Sequence, residues 1–174
     1  MRIYVDASTF IALGAVGSLN LLFSFDGGIV ALPTVVDEVT SEPAATNLER
    51  FLETDDICKR SRTTDANLEQ AQSVLDAAEL NGNVHLVASV LAHTDTNEPV
   101  GIVSDERRVR TVARGFGATV TGTVGVIVRA VEEGYARDDA RALVRRIDSN
   151  GLHMTGELRE KADTLIDEAA NRSK

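Results

Sequence analysis

The chain has a single cysteine and no long apolar run. These two features limit the classes of protein to which it can belong. Cys58 is the single cysteine among 174 residues, which excludes an intrachain disulfide and a cysteine metal cluster. No apolar stretch approaches the ~20 residues of a membrane span. Asp6 interrupts the apolar segment at the N-terminus, where a secretory signal would continue. We therefore expect a reduced, cytoplasmic location without membrane association.

Aromatic residues and lysines are also scarce. Two Tyr, five Phe and no Trp leave little for stacking against bases, so we do not expect an aromatic platform for RNA. Among the 18 Lys and Arg residues, only Lys59, Lys161 and Lys174 are lysines.

The net charge of −9 has two explanations. One is that the partner is not a nucleic acid, because binding to phosphates usually requires a basic surface. The other is a halophilic source, because high salt screens long-range charge to a few ångströms and acidic surfaces remain soluble there. The scarcity of lysine beside abundant Asp, Glu, Ala, Val and Thr favours the halophilic source. The net charge would then say little about the substrate.

Strands and helices alternate along the chain, whose length fits one domain. Short apolar segments predict strands at Ile3–Asp6, Ile29–Leu32, Ile57–Ser61, Val100–Ser104 and Ala118–Thr121. Helical spacing predicts helices that start at Ser8 (as the cap), Pro33 and Thr123, and others at 19–23, 44–54, 65–80, 84–93, 107–116, 137–149 and 155–171. This alternation predicts an α/β fold, a three-layer α/β/α structure with a central, mainly parallel sheet of four or five strands.

Three acidic residues, Asp6, Glu38 and Asp105, stand where predicted strands end and helices begin. The carboxyl ends of parallel strands share one edge of a sheet, and ligands bind at that edge. Carboxylates gathered there repel one another unless a cation lies between them. Hard divalent ions such as Mg²⁺ and Mn²⁺ prefer oxygen ligands. The sequence therefore predicts a metal site suited to phosphate chemistry.

Several of these residues also have a purely structural explanation. Asp6 and Ser8 are common helix caps. Asp105 and Glu106 are favoured at a helix N-terminus by the helix dipole. A phosphatase of the dehalogenase type also starts with an Asp at a strand end. Such an enzyme would need a second Asp two positions later, and the chain has Ser8 there.

Glu38 competes with its neighbour Asp37 for a place in the site. Both follow Pro33, which suits the first turn of a helix. On a helix, adjacent residues point about 100° apart, so only one of the two faces the site. We expect that residue to be Glu38, one turn inside the helix; a solvated acidic position is the alternative.

The ordered combination of these segments resembles the PIN-domain family of metal-dependent ribonucleases, which includes the toxins of many toxin–antitoxin pairs. Four segments within residues 1–134 carry the resemblance: Val5–Ser8, Leu32–Val39, Val103–Arg110 and Gly115–Ile127. The last of them, GFGATVTGTVGVI, is similar to the G-x-x-V-x-G-T-x-G-V-L tail of one PIN subgroup and is the most specific.

The resemblance implies a metal-dependent endoribonuclease with one or two Mg²⁺ or Mn²⁺ ions. By the family pattern, Asp6, Glu38 and Asp105 are metal or water ligands and form the catalytic set, and Ser8 and Ser104 are supporting hydroxyls. It also implies an RNA substrate, a possible antitoxin partner and a homodimer. Residues 1–134 would form the catalytic domain, and residues 135–174 a helical extension packed on it.

One position departs from the family pattern. Where the family commonly has Gly followed by Glu or Asp, this chain has Gly82 followed by Asn83. A neutral ligand makes it harder to hold two metal ions at ~3.5–4 Å. Asn83 and Glu106 remain possible ligands, and Glu79 or Glu106 could compensate for the missing charge. The alternative is a catalytically weakened PIN-like domain that binds RNA or a protein.

The predicted helix after Asp105 carries a dense basic cluster, Arg107, Arg108, Arg110 and Arg114. Two interpretations are open. The arginines could form salt bridges on a surface helix, which is common in an acidic protein. Alternatively, Arg107, Arg108 and Arg110 could contact RNA phosphates beside the metal site.

Overall fold

A computed structural model of the chain describes residues 1–54, 56–150 and 152–172. The strands are β1 (Arg2–Val5), β2 (Gly28–Val30), β3 (Ile57–Cys58), β4 (Val100–Val103) and β5 (Thr119–Thr121). The helices are α1 (Ala7–Ala15), α2 (Pro33–Val36), α3 (Ala44–Leu52), α4 (Asp65–Leu75), α5 (Gly82–Asp95), α6 (Arg107–Gly115), α7 (Thr123–Glu132), α8 (Arg137–Ser149) and α9 (Gly156–Arg172), with a 3₁₀ helix at Leu19–Ser24. Positions 151, 173 and 174 of the predicted extension lie outside the described residues.

The strands of the described chain form one five-stranded parallel sheet in the order β3–β2–β1–β4–β5. In the register of the central strand β1, Tyr4 lies opposite Val30 on β2 and Ile102 on β4. All three side chains are buried, as expected for parallel strands covered on both faces. The predicted α/β fold with a central parallel sheet is confirmed.

The helices divide into two groups by their contacts. Helices α4, α5 and α6 pack together, and α2 contacts α5. Helices α1, α3 and α7 pack with the 3₁₀ helix, and α8 and α9 join this group through contacts with α1 and α7. The two groups flank the sheet and give the three-layer α/β/α arrangement.

Two predicted element lengths were wrong. Helix α4 ends at Leu75 rather than continuing to residue 80. Asp76 adopts a left-handed conformation (φ 49°), and the N–H groups of Asp76 and Ala77 donate to the carbonyls of Ser73 and Gln72. The edge strand β3 covers only Ile57–Cys58 and stops well before the predicted end at residue 61.

Helix α5 begins two residues earlier than predicted. Its cap is Asn81, whose side-chain oxygen accepts a hydrogen bond of 3.1 Å from the N–H of Val84. Gly82 and Asn83 therefore form the first turn of the helix, which places them at the edge of the sheet where the strands end.

Among the described helices, none combines the length and apolar content that a membrane crossing requires.

Candidate active site

A cleft of about 300 Å³ lies at the carboxyl edge of the sheet, beyond the ends of β1 and β4. Six polar residues that the sequence singled out line it together: Asp6, Ser8, Glu38, Asn83, Asp105 and Glu106. They come from four separate parts of the chain. Ser104, the seventh, is fully buried at the end of β4, immediately before Asp105.

Asp6 connects β1 to α1 at the floor of the cleft. Its N–H donates to the carbonyl of Val103, which ties it to the neighbouring strand β4. Its Oδ1 atom accepts hydrogen bonds from the Thr9 N–H (2.8 Å) and the Ser8 hydroxyl (2.9 Å). The prediction that Ser8 caps α1 was therefore wrong. Asp6 has the extended conformation of a cap, and Ser8, within the first turn, orients its carboxylate.

The Asp6 carboxyl is almost completely buried, with 3% of the residue exposed. Burial raises its pKa above the ordinary value, and hydrogen bonds from Ser104, Thr9 and Ser8 oppose that rise only in part. An ionised carboxylate in this position is costly unless donors or a cation compensate it. The site is therefore one where a bound cation would have a large effect.

Glu38 lies outside α2, which is only four residues long, so the prediction that it sits one turn inside a helix was wrong. Asp37 ends the helix and Glu38 follows in the turn. The Glu38 Oε1 atom accepts a hydrogen bond of 2.7 Å from the N–H of Gly82, which is 44 residues away in sequence. Glu38, and not Asp37, lines the cleft because this bond draws it to the N-terminus of α5.

Gly82 allows this approach because it has no side chain. A Cβ atom at Gly82 would lie 2.7 Å from Oε1 of Glu38 and 3.1 Å from Cγ2 of Val35. Both distances are too short, so a larger residue would displace Glu38 from α5. Sequence reasoning noticed Gly82 only as the partner of Asn83. The signal that could have identified it is the glycine itself, because glycine is used where the backbone must approach another group closely.

The family resemblance implies metal-dependent RNA cleavage, and we expect Gly82→Ala to reduce it about 10- to 100-fold, because the substitution moves a carboxylate of the cleft by about an ångström. The free energy of unfolding should change by only about 1 kcal/mol, because Glu38 is exposed and can rotate away, and because the 3.1 Å contact with the buried Val35 needs a shift of only a few tenths of an ångström. Gly156→Ala is the matched control. Gly156 is also the first residue of a helix, α9, and a Cβ there meets nothing within 4 Å. Equal metal-dependent cleavage by the two variants would show that the Gly82–Glu38 contact has no role.

Asp105 is held by Thr123, the first residue of α7. Its Oδ1 atom accepts from the Thr123 N–H (3.0 Å), and its Oδ2 atom accepts a very short hydrogen bond from the Thr123 hydroxyl. A Cβ at Gly122 would collide with Oδ1 of Asp105, and one at Gly125 would collide with the Thr121 hydroxyl. The G-T-x-G segment thus has a physical role, since it lets α7 start directly against Asp105. In the sequence, Thr123 marks only the start of a predicted helix, so its role in the site was not predicted.

Asn83 and Glu106 complete the rim of the cleft. Asn83 lies in the first turn of α5, half-buried, on the same cleft as the three acids. Glu106 caps α6, where its Oε1 atom accepts a long hydrogen bond of 3.4 Å from the N–H of Arg108. Glu106 is exposed, so its side chain can leave this position at little cost.

Four helices begin at this cleft, and an acid contacts the start of each. Asp6 accepts from α1, Glu38 from α5, Glu106 from α6 and Asp105 from α7. The N-terminus of a helix carries a partial positive charge and unpaired N–H groups, which favour a carboxylate. The structural and functional explanations of these acids are therefore compatible. The same hydrogen bonds that begin the helices hold the carboxylates apart and in place.

The donor set of the cleft fits a hard divalent ion by its chemistry. Carboxylate, amide and hydroxyl oxygens are the ligands of Mg²⁺ and Mn²⁺. Each carboxylate of the cleft keeps lone pairs beyond those used by its helix. As placed, however, no three Asp, Glu, His or Cys side chains of residues 1–54, 56–150 and 152–172 lie close enough to hold one ion. A bound ion would therefore draw the carboxylates inward.

The arginines of α6 stand beside the cleft. Arg107, Arg108 and Arg114 are exposed and Arg110 is half-buried. Over the part of the chain that the structure describes, none of these four forms an ion pair with an acid. They do not form the salt-bridged surface helix that was one of the two interpretations.

The fold and the cleft define an α/β protein with a ligand site at the carboxyl edge of a parallel sheet. A family model described as a PIN domain matches residues 2–168, which is nearly the whole chain and includes most of α9. The chain belongs to the PIN-domain family, whose members are generally nucleases and typically use divalent metals. Neither the curated proteins nor the solved structures gave a significant match.

Proposed function

We propose that the protein is a metal-dependent endoribonuclease of the PIN type. The observation that carries the proposal is the convergence of Asp6, Glu38 and Asp105, from three distant parts of the chain, on one cleft. Membership of the family supports a nuclease-type fold. The pairing of each acid with a helix start supports a site whose carboxylates are gathered at one cleft, from which a bound ion has to draw them only further inward.

Asp6, Glu38 and Asp105 are the residues that would hold Mg²⁺ or Mn²⁺. When bound, such an ion would activate a water molecule as the nucleophile. It would also stabilise the negative charge that develops on a phosphodiester during attack. Ser8 and Thr9 keep the Asp6 carboxylate in position, and Thr123 keeps Asp105 in position. Because these donors belong to helix starts, the Asp6 and Asp105 carboxylates keep their attachment to α1 and α7.

Arg107, Arg108 and Arg110 are the residues that we propose contact the phosphates of RNA. They follow Asp105 on α6, and their guanidinium groups are not paired with acids among the described residues. Arginine binds phosphate through two parallel hydrogen bonds, so cations this close to the acidic cleft can direct the backbone across it. They also offset the repulsion between RNA and a chain of net charge −9.

Metal removal tests the proposed function. We expect the protein to cleave labelled single-stranded RNA in Mn²⁺ or Mg²⁺, at high as well as ordinary salt, and to lose cleavage when EDTA removes the metal. Adding excess Mn²⁺ to the EDTA sample should restore it. Products of defined length, measured on a gel, would indicate internal cleavage. Equal cleavage with and without EDTA, or none in either metal, would contradict the proposal.

A binding module is the second candidate, and Asn83 is the observation that favours it. Asn83 occupies the cleft at the position where the family commonly has an acid, and the three acids do not form a tight cluster. Calorimetry with Mn²⁺ separates the two functions. Saturable binding at micromolar to millimolar Mn²⁺ supports the enzyme, and the absence of binding at millimolar Mn²⁺ supports a domain that acts by binding RNA or a protein.

The antitoxin partner and the homodimer remain proposals that rest on the family resemblance. Apolar helix surface that the chain itself leaves uncovered would favour a dimer. In the structure, Leu86, Val87, Val90 and Leu91 of α5 are buried within the chain itself. Light scattering at high micromolar concentration tests the dimer, and suppression of toxicity by a small co-expressed protein tests the antitoxin.

A further inference from the structure

A second hollow, which we call the trough, adjoins the cleft at Asp105. It has a volume of about 520 Å³, and Asp105 lines both hollows. The trough lies between the start of α7 and helix α9, so the C-terminal helix forms one of its walls. Its charged and apolar lining includes Arg110, Val124, Leu158, Lys161 and Leu165.

The wall formed by α9 presents a cation between two apolar side chains. Leu158, Lys161 and Leu165 are three and four residues apart, so they share one face of the helix. Ala162 and Ile166 are on the face buried against the core. The core therefore does not require the two leucines, and Leu158 is 40% exposed, which is unusual for a large apolar side chain.

The cations of the trough are free to bind an anion. Among the described residues, neither Arg110 nor Lys161 forms an ion pair. Arg141 of α8 behaves differently, since it pairs with Asp167 of α9 at 2.6 Å. The Arg110 guanidinium also reaches the start of α7, where Nη1 would lie 3.6 Å from a Cβ at Gly122. Two unpaired cations outnumber the one carboxylate of the trough, Asp105, whose two oxygens already accept hydrogen bonds from Thr123, so the trough favours a negatively charged ligand.

We propose that the trough binds the nucleotide next to the phosphate that is cleaved. Its base would lie against Val124, Leu158 and Leu165, and its phosphate would contact Lys161 and Arg110. A nucleotide is both flat and anionic, which matches the combination of aliphatic walls and cations. The volume is within the ~300–1,000 Å³ range of small-molecule sites. Because this role depends on the endoribonuclease activity proposed above, the two must be tested separately.

RNA binding measured without metal tests the trough separately from the endoribonuclease activity, because no cleavage is expected in EDTA. The probe is a fluorescently labelled hexamer of adenylate, compared by anisotropy with a hexamer of the same ribose-phosphate backbone without bases. We expect Lys161→Glu to weaken binding of both probes about tenfold, because a phosphate contact is lost and a like charge is added. Lys161→Arg should bind as wild type does. Lys59→Glu, the same charge change on the exposed residue after β3, should weaken binding about twofold at most.

The apolar wall is tested in the same assay. We expect Leu158→Gln together with Leu165→Gln to weaken binding of the adenylate hexamer about fivefold and to leave the hexamer without bases unchanged. Circular dichroism and the melting temperature show whether the variants remain folded.

Three outcomes would contradict the proposals. A Lys161→Glu variant that binds and cleaves RNA like Lys59→Glu would overturn the proposed role of the trough, while the endoribonuclease proposal stands. Equal effects on both hexamers in the leucine variant would overturn the contact with the base. A wild-type protein that neither binds RNA in EDTA nor cleaves it in Mn²⁺ would overturn both proposals.

Discussion

Asp6→Asn is expected to lower metal-dependent RNA cleavage at least about 100-fold without unfolding the protein. The substitution removes the charge at the floor of the cleft but keeps an oxygen that can accept from the Thr9 N–H. Asn and Asp are equally good helix caps, so α1 should still begin at the same residue. The variant therefore separates the chemical role of Asp6 from its structural role. Asp6→Ala would remove both and could not distinguish them.

The stability of Asp6→Asn provides a second readout. Asp6 is nearly completely buried, and an uncompensated buried charge is costly, so the variant should be at least as stable as the wild type in EDTA. Mn²⁺ should raise the melting temperature of the wild type more than that of the variant, because the ion stabilises the state that binds it.

Asp65→Asn is the control for Asp6→Asn. Asp65 is an exposed acid in the first turn of α4 and does not line the cleft. This variant should keep full cleavage and the wild-type response to Mn²⁺. Cleavage by Asp6→Asn at the wild-type rate would show that Asp6 takes no part in the reaction.

Asn83→Asp is expected to tighten Mn²⁺ binding about tenfold, which corresponds to about 1.4 kcal/mol. Asn83 lines the cleft with Asp6, Glu38 and Asp105, so the substitution adds a fourth carboxylate to three. Without metal, the added charge lies among like charges, and the melting temperature in EDTA should fall. With metal, the repulsion becomes attraction. The melting temperature should therefore rise more than that of the wild type on adding Mn²⁺.

Asn81→Asp is the matched control for Asn83→Asp. Asn81 caps the same helix two residues earlier and is not part of the lining of the cleft. Both substitutions add the same charge near the N-terminus of α5, where the helix dipole favours an acid by ~0.3–1 kcal/mol. Only the charge at residue 83 should change the affinity for Mn²⁺. If the two variants and the wild type respond equally to Mn²⁺, Asn83 does not face the metal, and its alignment with the family's acid is wrong.

Asn83→Asp also discriminates between the two candidate functions. In an active endoribonuclease, the fourth carboxylate should change the metal concentration needed for half-maximal cleavage. In a catalytically weakened domain, the wild type would not cleave, and the variant should gain cleavage if the missing acid is the cause.

Much of the fold could be predicted from local sequence patterns. Each strand is a short apolar segment between helical segments, and this alternation is sufficient to indicate a parallel sheet. The rule that ligands bind at the carboxyl edge then places Asp6 and Asp105 together, because Asp6 follows β1 and Asp105 is the second residue after β4. Element ends were less accurate. Helix α4 stops at Asp76 because that residue turns left-handed, and the helical spacing of apolar residues, which continues to Ala78, conceals this end.

The sequence by itself determined the class of fold and the set of acids at the sheet edge, because these depend on apolar periodicity and on residues next to strands. The tertiary structure alone decided how the acids are held. Glu38 reaches the cleft through the N–H of Gly82, 44 residues away, and Asp105 is held by Thr123, 18 residues away. The trough likewise exists only because α9 packs beside the start of α7. Contacts between residues that are far apart in sequence leave no local periodicity, so only the packed chain reveals them.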